Sequence, residues 1–310
     1  PVTAAALGRF LKQPVAHFFR ERLKANLDLE ARTLEDTEPF ALAGLEQWQL
    51  QDRLLEQARR AGDAGFESAL ADTLDHLAGS GELPLAPFTA ASREALAQPL
   101  RRPLRDYFQR LTGCPNRRPQ HEVILNLPGL RVEDWLTDLR DGDSGPRRLL
   151  LVTGRLKERW NKLCPAWVVH LLACADGLAL SSELIAQDGR VELPPLPADQ
   201  ALAHLQDLAA AWREGLCRPL PVACATAFAW LGGEQKERAE QDARGVFESG
   251  FSHVGEGDKD AALKRAWPDF DTLLAAREAG DSQPALAVWA HRLYAPLFQH
   301  CQWHDPGDGQ

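Results

Sequence analysis

The chain has 310 residues, of which 45% are hydrophobic and 25% are charged, the usual balance of a globular protein with a sizeable core. No apolar run reaches the roughly 18 residues of a membrane-spanning helix, so the composition excludes an integral membrane protein built from helices. Acidic residues number 44 against 35 basic ones, a formal net charge of −9 that argues against a free-standing binder of the DNA backbone.

The cysteines and the start of the chain add two expectations. Six cysteines are scattered without a CxxC pair, which favours reduced thiols in a cytoplasmic protein over a zinc or iron–sulfur site. The chain opens at Pro1 and contains no methionine, so we expect it to be a fragment of a longer chain.

Residues 1–118 are predicted to form a mainly helical cover. Apolar residues recur at helical spacing across residues 8–23, where Pro14 is placed to open a second helix. Residues 36–62 predict an amphipathic helix, because leucines and a tryptophan fall on one face. The glycines and prolines of residues 79–88 predict a break before the next helix.

Residues 119–310 are predicted to form an α/β core with a helical tail. Three strand-like runs open this part, at residues 121–127, 130–140 and 147–154. Asp188-Gly189 lies between two alternating runs and predicts a hairpin across residues 181–196. Residues 197–216 give the clearest helical pattern, and no linker divides the chain. We therefore expect a single domain over residues 1–310.

Common catalytic signatures are absent from the sequence. It contains no GxxxxGK[ST], GxGxxG, HExxH or GxSxG pattern, so no ATP site, dinucleotide site or hydrolase site is indicated. His170 lies inside an apolar run, where a packing role is favoured over catalysis. Cys301 and His304 have ligand-type spacing but form only one pair, which does not indicate a metal site.

One pair of segments has the layout of a metal-dependent nuclease. Many such enzymes place an aspartate on one strand, a turn, a second strand with a carboxylate and a lysine, and then a helix. Here Asp138 lies in the first segment, while Val152 and Gly154 stand at the carboxylate and lysine positions of the second. Neither can ligate Mg²⁺ or stabilise developing charge, and one carboxylate holds a hard cation poorly. We expect a degenerate site without a metal.

Basic residues cluster around the second segment and are the best candidates for contact with DNA phosphates. These candidates are Arg147, Arg148, Arg155, Lys157, Arg159 and Lys162. The competing interpretation is a solvated helix face whose charge is balanced by Glu158 and by other acids. The sequence leaves both open.

Five blocks, in order and spacing, resemble the C-terminal part of the RecC family, the gamma subunit of the bacterial helicase–nuclease exodeoxyribonuclease V (RecBCD). The blocks are LGRFLKQPVAHFFRERLKANLDLE, DTEPFALAGLEQWQLQDRLLE, SGELPLAPF, LPPLPADQALAHLQDLAAAWREGL and GEGDKDAALKRAWPDF. The resemblance extends over almost the whole chain.

The resemblance implies a restriction-endonuclease-like core, similar to the nuclease domain of RecB, with its catalytic residues lost. The motif positions carried over are Asp138, Val152 and Gly154. Active relatives often have an iron–sulfur cysteine before a Pro-Val or Pro-Phe pair, but Gln13 precedes Pro14 here, so no cluster is implied.

The implied function is non-catalytic: the domain helps to split duplex DNA at an end and docks the RecD motor subunit during double-strand break repair and recombination. The implied partners are RecB, RecD and DNA ends, with no membrane, and ATP and Mg²⁺ are used by the partner subunits rather than by this domain. Two alternatives stay open, a weakly active metal-dependent nuclease and a module that binds only protein.

Overall fold

The structure is a computed structural model and describes residues 1–27, 44–84, 87–251 and 253–306. Within them the α-helices are α1 (Ala4–Lys12), α2 (Pro14–His17), α3 (Gly44–Ala61), α4 (Phe66–Gly79), α5 (Thr89–Thr112), α6 (Cys164–Ala175), α7 (Ala198–Gly215), α8 (Cys224–Gly232), α9 (Lys236–Phe247), α10 (Glu256–Lys259), α11 (Ala261–Ala266), α12 (Phe270–Ala275), α13 (Ala285–Leu293) and α14 (Ala295–His300). A π-helical turn, Phe18–Arg22, continues α2, and a 3₁₀ turn, Trp160–Lys162, precedes α6.

The strands form one mixed sheet and one separate hairpin. They are β1 (Asn116–Arg117), β2 (His121–Leu127), β3 (Leu130–Leu136), β4 (Leu139–Gly142), β5 (Gly145–Leu151), β6 (Ser181–Ala186), β7 (Gly189–Leu193) and β8 (Gln302–His304). The sheet has the order β1-β4-β5-β6-β7-β8, and β2 pairs only with β3. All sheet pairs are antiparallel except β5 with β6, which α6 connects. The expected mixed α/β class is confirmed.

Two apolar cores lie on opposite faces of this sheet. The first core contains α1, α6, α7, α8 and α13, together with Leu184 of β6. The second core contains α3, α4 and α5, together with Leu149 of β5 and Ile185 of β6. Because side chains alternate along a strand, β5 and β6 contribute to both cores. Within the N-terminal part predicted as one helical cover, α1 therefore packs on a different face from α3.

The predicted strand over residues 130–140 is interrupted. β3 ends at Leu136, and Asp138 adopts a left-handed conformation with φ +59° before β4 begins. β3 then belongs to the separate hairpin and β4 to the main sheet. The prediction of one continuous strand was wrong, because an aspartate tolerates the left-handed region and breaks the alternation there.

The basic residues directly after β5 lie in no α-helix, so the solvated helix face considered for them is absent. β5 ends at Leu151, an irregular loop follows, and α6 begins only at Cys164 with Pro165 in its first turn. Pro165 fits this first turn, because the first N–H groups of a helix have no acceptor within the helix. Pro14 opens α2 as predicted.

A short strand follows the helices of the expected tail. Gln302–His304 form β8, which pairs with β7 at the edge of the sheet. No helix of the described residues is both long enough and apolar enough to cross a membrane.

Candidate functional site

Two of the three motif positions singled out in the sequence, Val152 and Gly154, lie just after β5, and Asp138 lies just before β4. Val152 follows the strand and donates its backbone N–H to the carbonyl of Ile185 over 2.9 Å. Gly154 has φ +79°, and a Cβ added to it would lie 3.2 Å from Nζ of Lys162. In the β4–β5 register Leu139 pairs with Arg148, so the preceding residue, Asp138, comes opposite Leu149 rather than Val152. The three positions therefore do not face one another across the hairpin.

Asp138 is exposed and lines a cavity of about 320 Å³ between α3, α5 and the β4–β5 hairpin. Two α3 carboxylates, Asp52 and Glu56, line the same cavity. Asp52 accepts a 2.7 Å hydrogen bond from the hydroxyl of Thr153. Hydrogen bonds from Arg59 and Arg60 lower the pKa of Glu56 to about 2. Each α3 acid is thus engaged with a neighbouring side chain.

Sequence reasoning did not connect these acids with Asp138, because they lie far from it along the chain. In residues 1–27, 44–84, 87–251 and 253–306, no group of three or more His, Cys, Asp or Glu side chains is arranged to hold a metal ion.

The first two basic candidates point to opposite faces of β5. Arg147 lies on the second-core face, 3.7 Å from a carboxylate oxygen of Glu183. Arg148 lies on the other face, where its Nε and Nη1 atoms are buried without a hydrogen-bond partner. Burial lowers the pKa of Arg148, and the charge of Asp138 partly offsets that effect. Two of the three guanidinium nitrogens of Arg148 are therefore not accessible to a DNA phosphate.

Two further candidates are engaged with other groups of the chain. Lys157 pairs with Asp305, which raises the pKa of the lysine. Lys162 is half-buried and donates to the carbonyls of Thr153 and Arg155 over 2.6 and 2.9 Å. Burial lowers the pKa of Lys162, with a further contribution from the charge of Arg159. Lys162 therefore holds the loop after β5.

The remaining two candidates, Arg155 and Arg159, are exposed, and within the described part of the chain neither makes an ion pair. Arg159 lines a groove with a volume of about 1,090 Å³. Other cations from distant parts of the chain line the same groove: Arg9, Lys12, Arg238 and Lys259. Sequence reasoning missed these four. Two of them could have been noticed, because Arg9 and Lys12 lie on the polar face of the helix predicted at the start of the chain.

Comparison with known proteins decides the family. A family model described as the RecC C-terminal domain matches residues 1–235. The chain belongs to the RecC family. The RecBCD enzyme subunit RecC of Escherichia coli (strain K12) is 28% identical over 316 residues, which cover 97% of this chain and 26% of that protein. The subunit of the same name from Mycobacterium tuberculosis (strain H37Rv) is 27% identical over 322 residues, 96% of this chain and 27% of that protein.

The chain spans about a quarter of the length of these RecC relatives. The family model covers α1, the loop after β5 and α8, while α9 and α10, with Arg238 and Lys259 of the groove, lie beyond the matched residues. The start of the helix predicted over residues 36–62 falls in residues 28–43, outside the described residues, and the described α3 begins at Gly44.

Proposed function

We propose that this RecC-family domain is a non-catalytic part of a RecBCD-type helicase–nuclease that acts in double-strand break repair and recombination. In this proposal it helps to separate the strands at a DNA end and docks the RecD motor subunit. RecB and RecD supply the motors and the cutting activity, and they use the ATP and Mg²⁺. The proposed location is the cytoplasm. The observation that carries the proposal is the family match over residues 1–235.

The arrangement of the sheet supports a nuclease-derived core. An antiparallel hairpin, β4–β5, is followed by α6 and then by β6, parallel to β5. This order corresponds to the strand, turn, strand and helix of metal-dependent nucleases. The proposed relation to restriction endonucleases rests on this order together with Asp138 at the start of the hairpin.

The side chains at the motif positions support the loss of catalysis. Val152 offers no oxygen to a metal, and Gly154 offers no side chain. Hydrolysis of a phosphodiester with metal assistance needs anionic ligands that fix the ion. A lysine at position 154 would also be strained by φ +79° and would crowd Lys162. Restoring the motif by two substitutions is therefore not expected to restore cleavage.

The first test is a cleavage assay. The purified protein and an Asp138→Ala variant are incubated with end-labelled linear duplex and single-stranded DNA in Mg²⁺ or Mn²⁺. We expect no cleavage by either protein. Cleavage by the parent protein that disappears in the variant would mean that a metal site exists around Asp138, and the weakly active nuclease would replace the proposal.

The second test separates DNA processing from a purely protein-binding role. The complex is assembled with its motor subunits, and unwinding is measured with Arg155, Lys157 and Arg159 changed to Glu. Loss of phosphate contacts should slow unwinding and change its salt dependence, because such contacts release counterions. Unchanged unwinding at every salt concentration would favour the assembly module. Co-purification with RecD tests the docking role separately.

A further inference from the structure

The groove that contains Arg159 is built from elements far apart in the sequence. One wall is the C-terminal end of α1, and the 3₁₀ turn Trp160–Lys162 and α8 form the floor. The other wall is α9 with the following loop and α10. Its volume of about 1,090 Å³ is at the upper end of the range for small-molecule sites, which indicates an extended ligand.

Cations and carboxylates line this groove in nearly equal numbers. Five cations stand against four carboxylates, so the lining is almost neutral. A nucleic acid, with a negative charge on every nucleotide, matches such a lining poorly. A ligand that carries a few negative charges separated by other groups matches it better. Among the described residues the charged lining consists of Arg9, Lys12, Arg159, Arg238 and Lys259 with Glu158, Asp242, Glu256 and Asp260.

The cations on the two walls are available to a ligand. Arg9 and Lys12 on the α1 wall and Lys259 on the α10 wall are exposed, and none makes an ion pair or side-chain hydrogen bond within the described residues. Arg238, by contrast, is paired with Asp242 over 2.9 Å. The available positive charges are therefore few and lie on opposite sides of the groove.

Two of the carboxylates are engaged with the backbone. Glu256 accepts hydrogen bonds from the N–H groups of Ala225 and Thr226, at the start of α8, over 2.9 and 2.8 Å. Asp260 accepts from the first N–H groups of α11 and caps that helix. These two acids do not compete with a ligand for the cations of the walls. Charge complementarity thus favours a ligand with carboxylates.

The floor of the groove is apolar. The ring of Trp160 is stacked on that of Phe228, with centroids 4.4 Å apart and planes 8° apart, and the rings of Phe298 and Trp303 lie 5.1 and 5.5 Å from it. With three neighbouring rings, Trp160 belongs to a packed apolar surface and is not a free platform for stacking bases. Val254, which is 50% exposed, lines the same space. This surface suits aliphatic and aromatic side chains.

Side-chain amides complete the lining. Gln13, Asn161 and Gln241 contribute them, and each amide offers both a hydrogen-bond donor and an acceptor. An extended peptide presents N–H and C=O groups in alternation, so amide side chains match its backbone as well as its polar side chains. Cations, an apolar floor and amides together correspond to an acidic peptide that also carries apolar residues.

We propose that this groove binds an extended acidic segment of a partner protein, with its carboxylates at Arg9, Lys12 and Lys259 and its apolar side chains against Val254 and Trp160. The core of a permanent subunit interface is depleted in charged residues, whereas nine charged residues line this groove. The partner is therefore a protein that binds the assembled complex reversibly, and not one of the motor subunits. This inference goes beyond the proposed function, which gives the groove no partner.

The test uses the protein as its gene encodes it, in complex with its motor subunits. A fluorescent synthetic peptide in which aspartate alternates with leucine is titrated and followed by anisotropy. Two further peptides carry asparagine in place of every aspartate or serine in place of every leucine. The groove variant is Arg9→Gln with Lys259→Gln, and the matched control is Arg22→Gln with Arg265→Gln. The control residues are exposed and lie outside the groove, and the net charge changes equally.

We expect the groove variant to bind the acidic peptide at least about 10-fold more weakly than the parent protein, because one cation is lost from each wall. The control should match the parent. Val254→Ser changes no charge and should weaken binding about 3-fold through lost apolar contact. Leu45→Ser, at a residue that is 67% exposed and lies outside the groove, should have no effect. Both peptides with replaced residues should bind more weakly than the acidic one.

A second readout locates the bound peptide. A benzophenone replaces one leucine of the acidic peptide, and after irradiation the crosslink should map to α8 or to Val254. Crosslinks that all fall elsewhere would overturn the proposal, as would equal binding by the groove variant and its control. Equal binding of the asparagine peptide would contradict the charge match. Unchanged thermal unfolding of the variants, followed by circular dichroism, establishes that a loss of binding is local.

Two outcomes would replace the proposed partner. Displacement of the peptide by oligothymidylate, at equal concentration of negative charge and as effective as displacement by unlabelled peptide, would show that the groove takes any polyanion. Binding by the protein alone that disappears in the complex would show that a motor subunit covers the groove. DNA unwinding by the complex with the groove variant should be unchanged, so a failure of peptide binding leaves the proposed DNA-processing role intact.

Discussion

Three arginine side chains surround one buried carboxylate of the sheet. Glu183 of β6 has a side chain only 3% exposed and lies 2.8 Å from Nη1 of Arg110. Arg190 and Arg147 approach the same carboxylate to 3.5 and 3.7 Å. The sequence pattern gave no sign of this cluster, because the arginines come from α5, β5 and β7. A carboxylate shared by three guanidinium groups joins α5 to three parts of the fold.

Glu183→Gln should therefore lower the free energy of unfolding by about 3 kcal/mol, because it leaves three partly buried cations without their counter-charge. The matched change Glu192→Gln, directly opposite on β7 and 29% exposed, should cost less than about 1 kcal/mol. Urea unfolding of the two variants measures the difference. Equal costs would show that the burial of Glu183 does not govern its contribution.

A second residue couples the fold to pH. His17 is 1% exposed, its Nε2 atom has no hydrogen-bond partner, and its ring lies 4.1 Å from that of Trp212. Burial lowers the pKa of His17 from 6.5 to about 4, although the charge of Glu21 opposes the shift. Between these two pH values the unfolded chain binds a proton at this position and the folded chain does not.

The free energy of unfolding should therefore fall as the pH falls from 6.5 towards about 4, by up to about 1.4 kcal/mol per pH unit from this residue. His17→Phe keeps an aromatic ring beside Trp212 and should reduce the number of protons taken up on unfolding by about one. The plot of unfolding free energy against pH then becomes shallower. Urea unfolding at several pH values gives both slopes. His170, whose pKa burial lowers to about 3, should keep the slope of the variant above zero. Identical slopes would contradict the assignment to His17.

At the scale of elements, the loop between β5 and α6 is held from both sides. The Asp188 carboxylate, in the β6–β7 turn, accepts from the N–H groups of Leu156 and Lys157 over 2.9 and 3.0 Å. Lys162 donates to two carbonyls of the same loop. These hydrogen bonds, rather than a helix, hold Arg159 and Trp160 at the groove.

Asp188→Ala should lower the free energy of unfolding by about 2 kcal/mol, since two backbone N–H groups lose a charged acceptor. The control Asp143→Ala, in the exposed β4–β5 turn, should change it by less than about 0.5 kcal/mol. Amide hydrogen exchange at Leu156 should accelerate only in the first variant. Unchanged protection there would show that the loop is held without Asp188.

At the scale of the whole molecule, one strand serves two cores. Leu184 and Ile185 are neighbours in β6 and both are 1% exposed, yet they pack into the first and the second core respectively. The helices on the two faces therefore share the same sheet. This arrangement couples the N-terminal helices α3–α5 to the rest of the fold.

Leu184→Ala and Ile185→Ala should each cost about 3 kcal/mol, the usual range for loss of a large aliphatic side chain in a core. Both should move a single unfolding transition, because loss of either core exposes the shared strand. Circular dichroism and tryptophan fluorescence should give coincident curves in each variant. Two separated transitions in Ile185→Ala would show that the second core unfolds alone.

Features that depend on neighbours along the chain could be predicted before the structure was known. Alternation predicted β2, β6 and β7, and helical spacing predicted α1 and α7. The sequence also carried the resemblance that the family match bears out.

Which charges lie close together could not be predicted, because it depends on how the elements pack. Arg147 and Arg148 are adjacent in the sequence but face opposite sides of β5, whereas Arg9 and Lys259 are far apart and line one groove. Alternation along a strand sends the side chains of sequence neighbours to opposite faces of the sheet. Packing of helices brings distant segments together. Neither effect can be read from the local composition. A binding surface depends on long-range contacts, whereas the helices and strands that carry it depend on the local sequence pattern.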